Sequence, residues 1–464
     1  MQELKFNFCL MTDGYKLQHF RQYVPNTQVN YEYFESRTGA QFNKTVVFGM
    51  QYLLKNYFEG PVVTQDMIEE ADAFNGSYFG GVGEFNRPMW QHIVDKYGGY
   101  LPIKIRAVPE GSPVEVSNVL FDIENTDDLC APLVGHCETV LSNMWGPSTT
   151  ATLSREVKIL CNSYLTDTSD TKAGLNFMLH DFGMRGVGEP HVAALHGAGH
   201  LLNFLGTDTL SAMQLAHQYY GADYKTLAYS VPATEHSVMT ARGEAGEKQI
   251  FADNIKQFPN GILSIVIDSY DYRRFIRTYA LELKNEILAR NGKTVFRPDS
   301  GEPITTTLDV LDHLNHVFGS TLNSKGYRVL NPKVGVLWGD GIDYKGKRDI
   351  LFAMKNMGWS AENIVFGAGG ALLQRINRDT QRCAMKSAAQ MRDNVWHDIQ
   401  KRPIDASKKS KTGKLKLIKE NGIYHTVKQG ERPELPDELV TVFENGRMVK
   451  EWTFDECRQR AKID

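Results

Sequence analysis

The run ILSIVID at 262–268 sets five aliphatic residues around one serine and ends on an aspartate; YRRFIRTYALELKNEIL at 272–288 then carries apolar residues at helical spacing. A short, β-branched run that ends in a polar tip and passes into an amphipathic helix is one βα unit. The same cadence extends in both directions. Upstream stand FMLHD at 177–181, LLNFLGTD at 201–208 and AYSVPATEH at 228–236; downstream stand TVFRPD at 294–299, VGVLWGD at 334–340 and NIVFGAGG at 363–370. Successive tips lie 27 to 41 residues apart, counted through Asp181, Asp208, His236, Asp268, Asp299, Asp340 and Gly370. That interval holds one strand and one crossover helix, so the chain is read as a parallel α/β barrel of about seven βα units, with an open doubly wound sheet as the runner-up. TLSAMQLAHQYY at 209–220 and DILFAMKNMG at 349–358 fit further crossover helices.

Residues 1–146 and 380–464 lack this cadence and carry aromatic-rich runs such as VNYEYFES at 29–36. They are expected to form one mixed α+β domain beside a catalytic barrel domain at 147–379. Two domains also suit 464 residues, at roughly 100 to 250 residues per domain.

The net charge of −3 gives no basic excess for general nucleic-acid binding, so any anion site must be local. No basic-then-apolar leader opens the chain and no run approaches the length of a membrane span, which points to a cytoplasmic protein without membrane association. Cys9, Cys130, Cys137, Cys161, Cys383 and Cys457 are scattered without a C-x-x-C pair, against both a disulfide framework and a structural zinc site.

In such barrels the strand C-termini form the active face. Each aspartate there could simply cap the following helix. A ring of carboxylates with one histidine, His236, set against Arg185 and Arg297, instead suits a substrate with hydroxyls, phosphates and a divalent cation. WGDG at 338–341 and FGAGG at 366–370 place Gly339, Gly369 and Gly370 after strands, where backbone N–H groups can approach phosphate, with Arg378 beyond. Other signals are weaker. GKT at 292–294 lacks the upstream glycine of a phosphate-binding P-loop and is read as a turn into a strand. His191, His196 and His200 do not have zinc-protease spacing and are read as core or surface histidines. The basic run KRPIDASKKSKTGKLK at 401–416 is a solvated loop or a cover for phosphates.

With these residues in place, the chain resembles the nicotinamide phosphoribosyltransferases, a type II phosphoribosyltransferase family, over nearly its whole length. The matching segments are TDGYK at 12–16, YFESR at 33–37, VFGMQY at 47–52, LPIKIRAVPEG at 101–111 and HDFGMRG at 180–186. They continue through GTDT at 206–209, YSVPATEHS at 229–237, DSYD at 268–271, RPDSG at 297–301, GDG at 339–341 and FGAGG at 366–370, then SKKSKTGKL at 407–415 and FENGRMVKEWTFDE at 443–456.

The resemblance implies transfer of the ribosyl phosphate of phosphoribosyl pyrophosphate to nicotinamide, with Mg²⁺, a coupled ATP hydrolysis and a homodimer with shared active sites. It implies that Phe182 and the partner subunit's Tyr15 sandwich the nicotinamide ring while Asp208, Ser264 and Arg297, near Arg185, hold its carboxamide. An aromatic sandwich suits a flat neutral ring, and a carboxylate accepts from an amide NH₂ but repels the carboxylate of nicotinate. Asp299 and Asp340 are implied near the ribose hydroxyls and the metal, where carboxylates stabilise an oxocarbenium-like centre. Gly369, Gly370 and Arg378 are implied for the 5′-phosphate, and Arg37, Lys386 and Lys401 for pyrophosphate. His236 is implied as the residue phosphorylated by ATP, its tautomer fixed by Asp268. The chain departs from the family pattern at Ala368, Ala371, Arg375 and Met184, and in EPHVAALHGAG at 189–199. Nicotinate phosphoribosyltransferase is the nearest alternative, and a non-catalytic relative that keeps the fold is the alternative from another class.

Overall fold

The computed structural model describes residues 6–339, 341–402, 404 and 409–463. The chain forms two compact units, one of Met1–Thr152, Gln218–Ala222 and Asn377–Ala461, the other of Leu153–His217, Asp223–Ile376 and Lys462–Asp464.

The first unit is built on a seven-stranded antiparallel sheet. Its strands run in the order Val395–Asp398, Cys383–Arg392, Thr27–Ser36, Val119–Asn125, Ile103–Ala107, Val440–Glu444 and Arg447–Met448. Period-two alternation is visible in Ile103–Ala107, where Ile103, Ile105 and Ala107 are buried while Lys104 and Arg106 are half-buried. Arg106 is ion-paired with Asp122, which also accepts a hydrogen bond of 2.6 Å from the Tyr31 hydroxyl, so the buried carboxylate has its partners.

The second unit carries the βα array. Six of the seven runs contribute strands to one parallel sheet, ordered Gly206–Thr207, Leu179–Asp181, Ile364–Ala368, Val334–Trp338, Asn291–Arg297 and Asn260–Val266. The remaining run, 228–236, is not a regular strand. It makes single parallel bridges, Tyr229 with Gly206 and Ala233 with Ser264, so the sheet is a parallel half-barrel rather than seven regular strands. Pro232 supplies the reason: it has no N–H to continue a ladder, although its carbonyl accepts from Ser264 N at 2.9 Å.

Register aligns the strand ends. Ala368 pairs with Asp181, Trp338 with Phe366, Val336 with Phe296, and Val266 with Arg297, so the tips that follow share one end of the sheet. Beneath them Phe251, Phe275, Phe296, Trp338, Trp359 and Phe366 are fully buried in one core; truncating one such aromatic to alanine costs about 3–5 kcal/mol.

The helix expected over 272–288 is interrupted. An α-helical turn, Tyr272–Arg274, widens into a π-helix at Phe275–Ala280 before Lys284–Ala289 resumes. The π turn buries Phe275, Ile276 and Ala280, placing Phe275 4.8 Å from Phe251 between ring centroids; core packing outweighs regular helical bonding there. Gly292–Thr294 lie inside strand Asn291–Arg297. His196 and His200 are buried in helix Pro190–His200, bonded to Leu373 O at 2.7 Å and to Ser154 Oγ at 2.9 Å; burial lowers the pKa of both. The six cysteines are free and buried. Among the described residues no helix is long and apolar enough to cross a membrane.

Candidate active site

At the aligned strand ends of the second unit lies a cavity of about 650 Å³, bordered by Phe182, Asp208, Arg297, Asp299, Gly339 and Gly370, with Arg185 and Gly369 also at its wall. Backbone chemistry fixes its shape. Phe182 N donates to Ala368 O at 2.8 Å, and the ring lies where a Cβ on Gly367 would be 2.3 Å from its Cε2 atom. A Cβ on Gly339 would sit 2.6 Å from Asp299 Oδ1, so glycine there admits the carboxylate. The Arg297 guanidinium stands 5.8 Å from the Phe182 ring centroid and donates to Thr234 O at 2.6 Å, but its buried Nε has no protein partner. Burial lowers the Arg297 pKa, against the opposing charges of Asp299, Asp208 and Asp268.

Asp208 is half-exposed. Burial would raise its pKa, but hydrogen bonds from His180 and Ser230 and the charge of Arg297 hold it below the usual value. Ser264, whose buried Oγ also lacks a protein partner, borders a second cavity of about 510 Å³ together with His180 and Ser230.

His236 opens the short helix His236–Met239, and its imidazole is about half exposed. Its Nε2 lies 3.3 Å from Asp268 Oδ1, while Asp268 Oδ2 accepts from Asp299 N at 2.9 Å and Ser300 Oγ at 2.6 Å. One buried carboxylate therefore joins the histidine to the loop bearing Asp299. Asp181, by contrast, is turned inward, accepting from Gly183 N at 2.7 Å and Thr207 Oγ1 at 3.1 Å, which is a structural role. Asp340 lies outside the described residues, as do residues 403 and 405–408 of the basic run.

The other expected site residues, Tyr15, Arg37, Arg378, Lys386 and Lys401, belong to the first unit. Tyr15 is 63% exposed. Arg37 Nε donates to Arg382 O at 3.1 Å, and Lys386 Nζ to Met385 O at 2.6 Å. Burial lowers the Lys386 pKa; Glu138 opposes this, and the charges of Arg37, Lys401 and Arg378 add to it.

Arg375, Thr234 and Glu235 border the first cavity without having been singled out as site residues in the sequence. Arg375 had a signal, since it is one of the departures from the family pattern. Thr234 and Glu235 directly precede His236 in AYSVPATEH.

Two family models match the chain: the nicotinate phosphoribosyltransferase family over residues 177–447, and the N-terminal domain of nicotinamide phosphoribosyltransferase over residues 7–105. By fold the chain is similar to the nicotinate-nucleotide pyrophosphorylase of Pyrococcus furiosus, with a TM-score of 0.60, 16% identity and coverage of 99% of this chain and 97% of that one. It is also similar to human nicotinic acid phosphoribosyltransferase, with a TM-score of 0.57, 13% identity and coverage of 97% and 93%. These likenesses define the class, a phosphoribosyltransferase fold. In sequence the chain is 44% identical to the nicotinamide phosphoribosyltransferase of Xanthomonas campestris pv. campestris, covering 98% of both chains. It is 35% identical to that of Acinetobacter baylyi, covering 97% of this chain and 95% of the relative. The chain belongs to the nicotinamide phosphoribosyltransferase family.

Proposed function

We propose that this protein transfers the ribosyl phosphate of phosphoribosyl pyrophosphate to nicotinamide, forming nicotinamide mononucleotide and pyrophosphate in NAD salvage. The observation that carries this is the polar end of the aromatic cavity. Phe182 offers a ring face, Asp208 an ionised acceptor, and Arg297 Nε a buried donor without a protein partner; Ser264 Oγ, at the second cavity, is another such donor. A flat amide satisfies all three kinds of group. Tyr15, exposed on the first unit, is the ring that a second copy of the chain would present to Phe182 in a homodimer.

At the ribose, Asp299 is poised to stabilise the cationic anomeric carbon as pyrophosphate departs. Positioning the modestly nucleophilic ring nitrogen supplies much of the rate. The N–H groups at Gly369 and Gly370 and the charge of Arg375 suit the 5′-phosphate. Among the described residues no three metal-ligating side chains converge. Mg²⁺, however, is typically held by one or two carboxylates together with substrate phosphates. Asp299 at the cavity fits that demand. Mg²⁺ bound there would neutralise pyrophosphate charge.

His236 is the proposed phosphoryl acceptor from ATP. With Nε2–H directed at Asp268, Nδ1 keeps its lone pair for attack.

The deciding assay is formation of nicotinamide mononucleotide from nicotinamide and phosphoribosyl pyrophosphate, with and without ATP, run beside nicotinate as substrate. No product from nicotinamide would overturn the proposal; faster turnover of nicotinate would favour the alternative. Asp208→Asn is expected to raise KM for nicotinamide about tenfold and to narrow its advantage over nicotinate, because the new amide no longer repels a carboxylate. Gly367→Ala is expected to push the Phe182 ring aside, raising KM for nicotinamide about tenfold and lowering Tm by a few degrees. Steady-state kinetics and a thermal melt check both effects.

A further inference from the structure

We propose that His180 is a positioning residue that sets base specificity by fixing the Asp208 carboxylate. His180 is the middle residue of strand Leu179–Asp181, and its side chain is only 13% exposed. Its Nε2 lies 3.0 Å from Asp208 Oδ1, and Ser230 Oγ donates to that same oxygen. Both donors fall on Oδ1, so the acceptor capacity of Oδ2 remains for a ligand.

The imidazole is wedged in place. A Cβ on Gly206 would be 2.7 Å from His180 Nδ1, so the ring rests against glycine backbone on one side. The ring centroid is also 4.8 Å from that of Phe182, with the planes tilted by 40°. One side chain therefore braces both the acceptor and the stacking ring of the base pocket. Bracing removes rotamer freedom before the base arrives, which strengthens binding without new substrate contacts. It also keeps Asp208 an acceptor, which favours an amide over a carboxylate; the lowered pKa of Asp208 agrees with this.

This inference rests on the proposal that Asp208 meets the carboxamide, and its test separates the two. Steady-state kinetics with nicotinamide and nicotinate are measured for the full chain and for His180→Ala, His180→Gln, Asp208→Ala and the double alanine variant. His180→Ala is expected to raise KM for nicotinamide about tenfold, with kcat changed less than about threefold and the preference for amide over acid reduced by a similar factor. His180→Gln, whose amide nitrogen can replace imidazole Nε2, is expected to restore KM to within about threefold. The double variant is expected to be no worse than Asp208→Ala alone, because His180 acts through Asp208. If His180→Ala does not fold, His180→Leu, which keeps volume without a donor, takes its place. Wild-type KM and preference in the apolar variant, with Asp208→Ala impaired, would overturn the role of His180 and leave that of Asp208 standing. An unimpaired Asp208→Ala would overturn both.

Discussion

Replacing His236 with alanine is expected to abolish stimulation by ATP while leaving slow synthesis of nicotinamide mononucleotide intact. The imidazole stands about half exposed, with one nitrogen turned toward Asp268, which suits phosphoryl transfer to a group held outside the base pocket. Asp299, Arg297 and Phe182 border the cavity, and on the proposed reading the ribosyl chemistry is theirs. The ratio of rates with and without ATP should fall to about unity in His236→Ala, while the rate without ATP should change by less than about threefold. Product formation followed by chromatography, with phosphate release measured in parallel, gives both values. ATP stimulation that survives in the variant would dismiss His236 as the acceptor.

Asp299→Asn is expected to damage the transfer itself. The substitution keeps size and polarity but removes the negative charge proposed to face the anomeric carbon, and electrostatic groups of this kind contribute about 10²–10³ in kcat. KM for nicotinamide should change little, because the base is assigned to Phe182, Asp208 and Arg297. A kcat within about threefold of wild type at saturating phosphoribosyl pyrophosphate would move the ribose site elsewhere.

The βα cadence was legible because a buried parallel strand must be a short aliphatic run, and ILSIVID, TVFR and VGVLW are such runs with few competing signals. AYSVPATEH looked equally regular, yet Pro232 cannot extend a ladder and left two isolated bridges. The π turn at Phe275–Ala280 was hidden because its cause, packing against Phe251, lies far off in sequence. The strand-end residues could be collected from local pattern alone. Arg37 and Lys386 could not, since they come from separated segments and only family resemblance joined them. His180 stands within HDFGMRG, but its significance lies in a contact with Asp208, 28 positions away, which no local pattern shows.

On the proposed reading, the Asp268 carboxylate would link the histidine to the ribose site. One of its oxygens faces His236 while the other holds the backbone and side chain of Asp299–Ser300. A single delocalised charge serves both ends, so any gain or loss of charge on the imidazole alters the grip on the loop. Linkage requires the reverse as well: a ligand that tightens the Asp299 loop must act back on the contact between Asp268 and His236. On that reading, such reciprocity would let ATP use and ribosyl transfer constrain each other through one side chain.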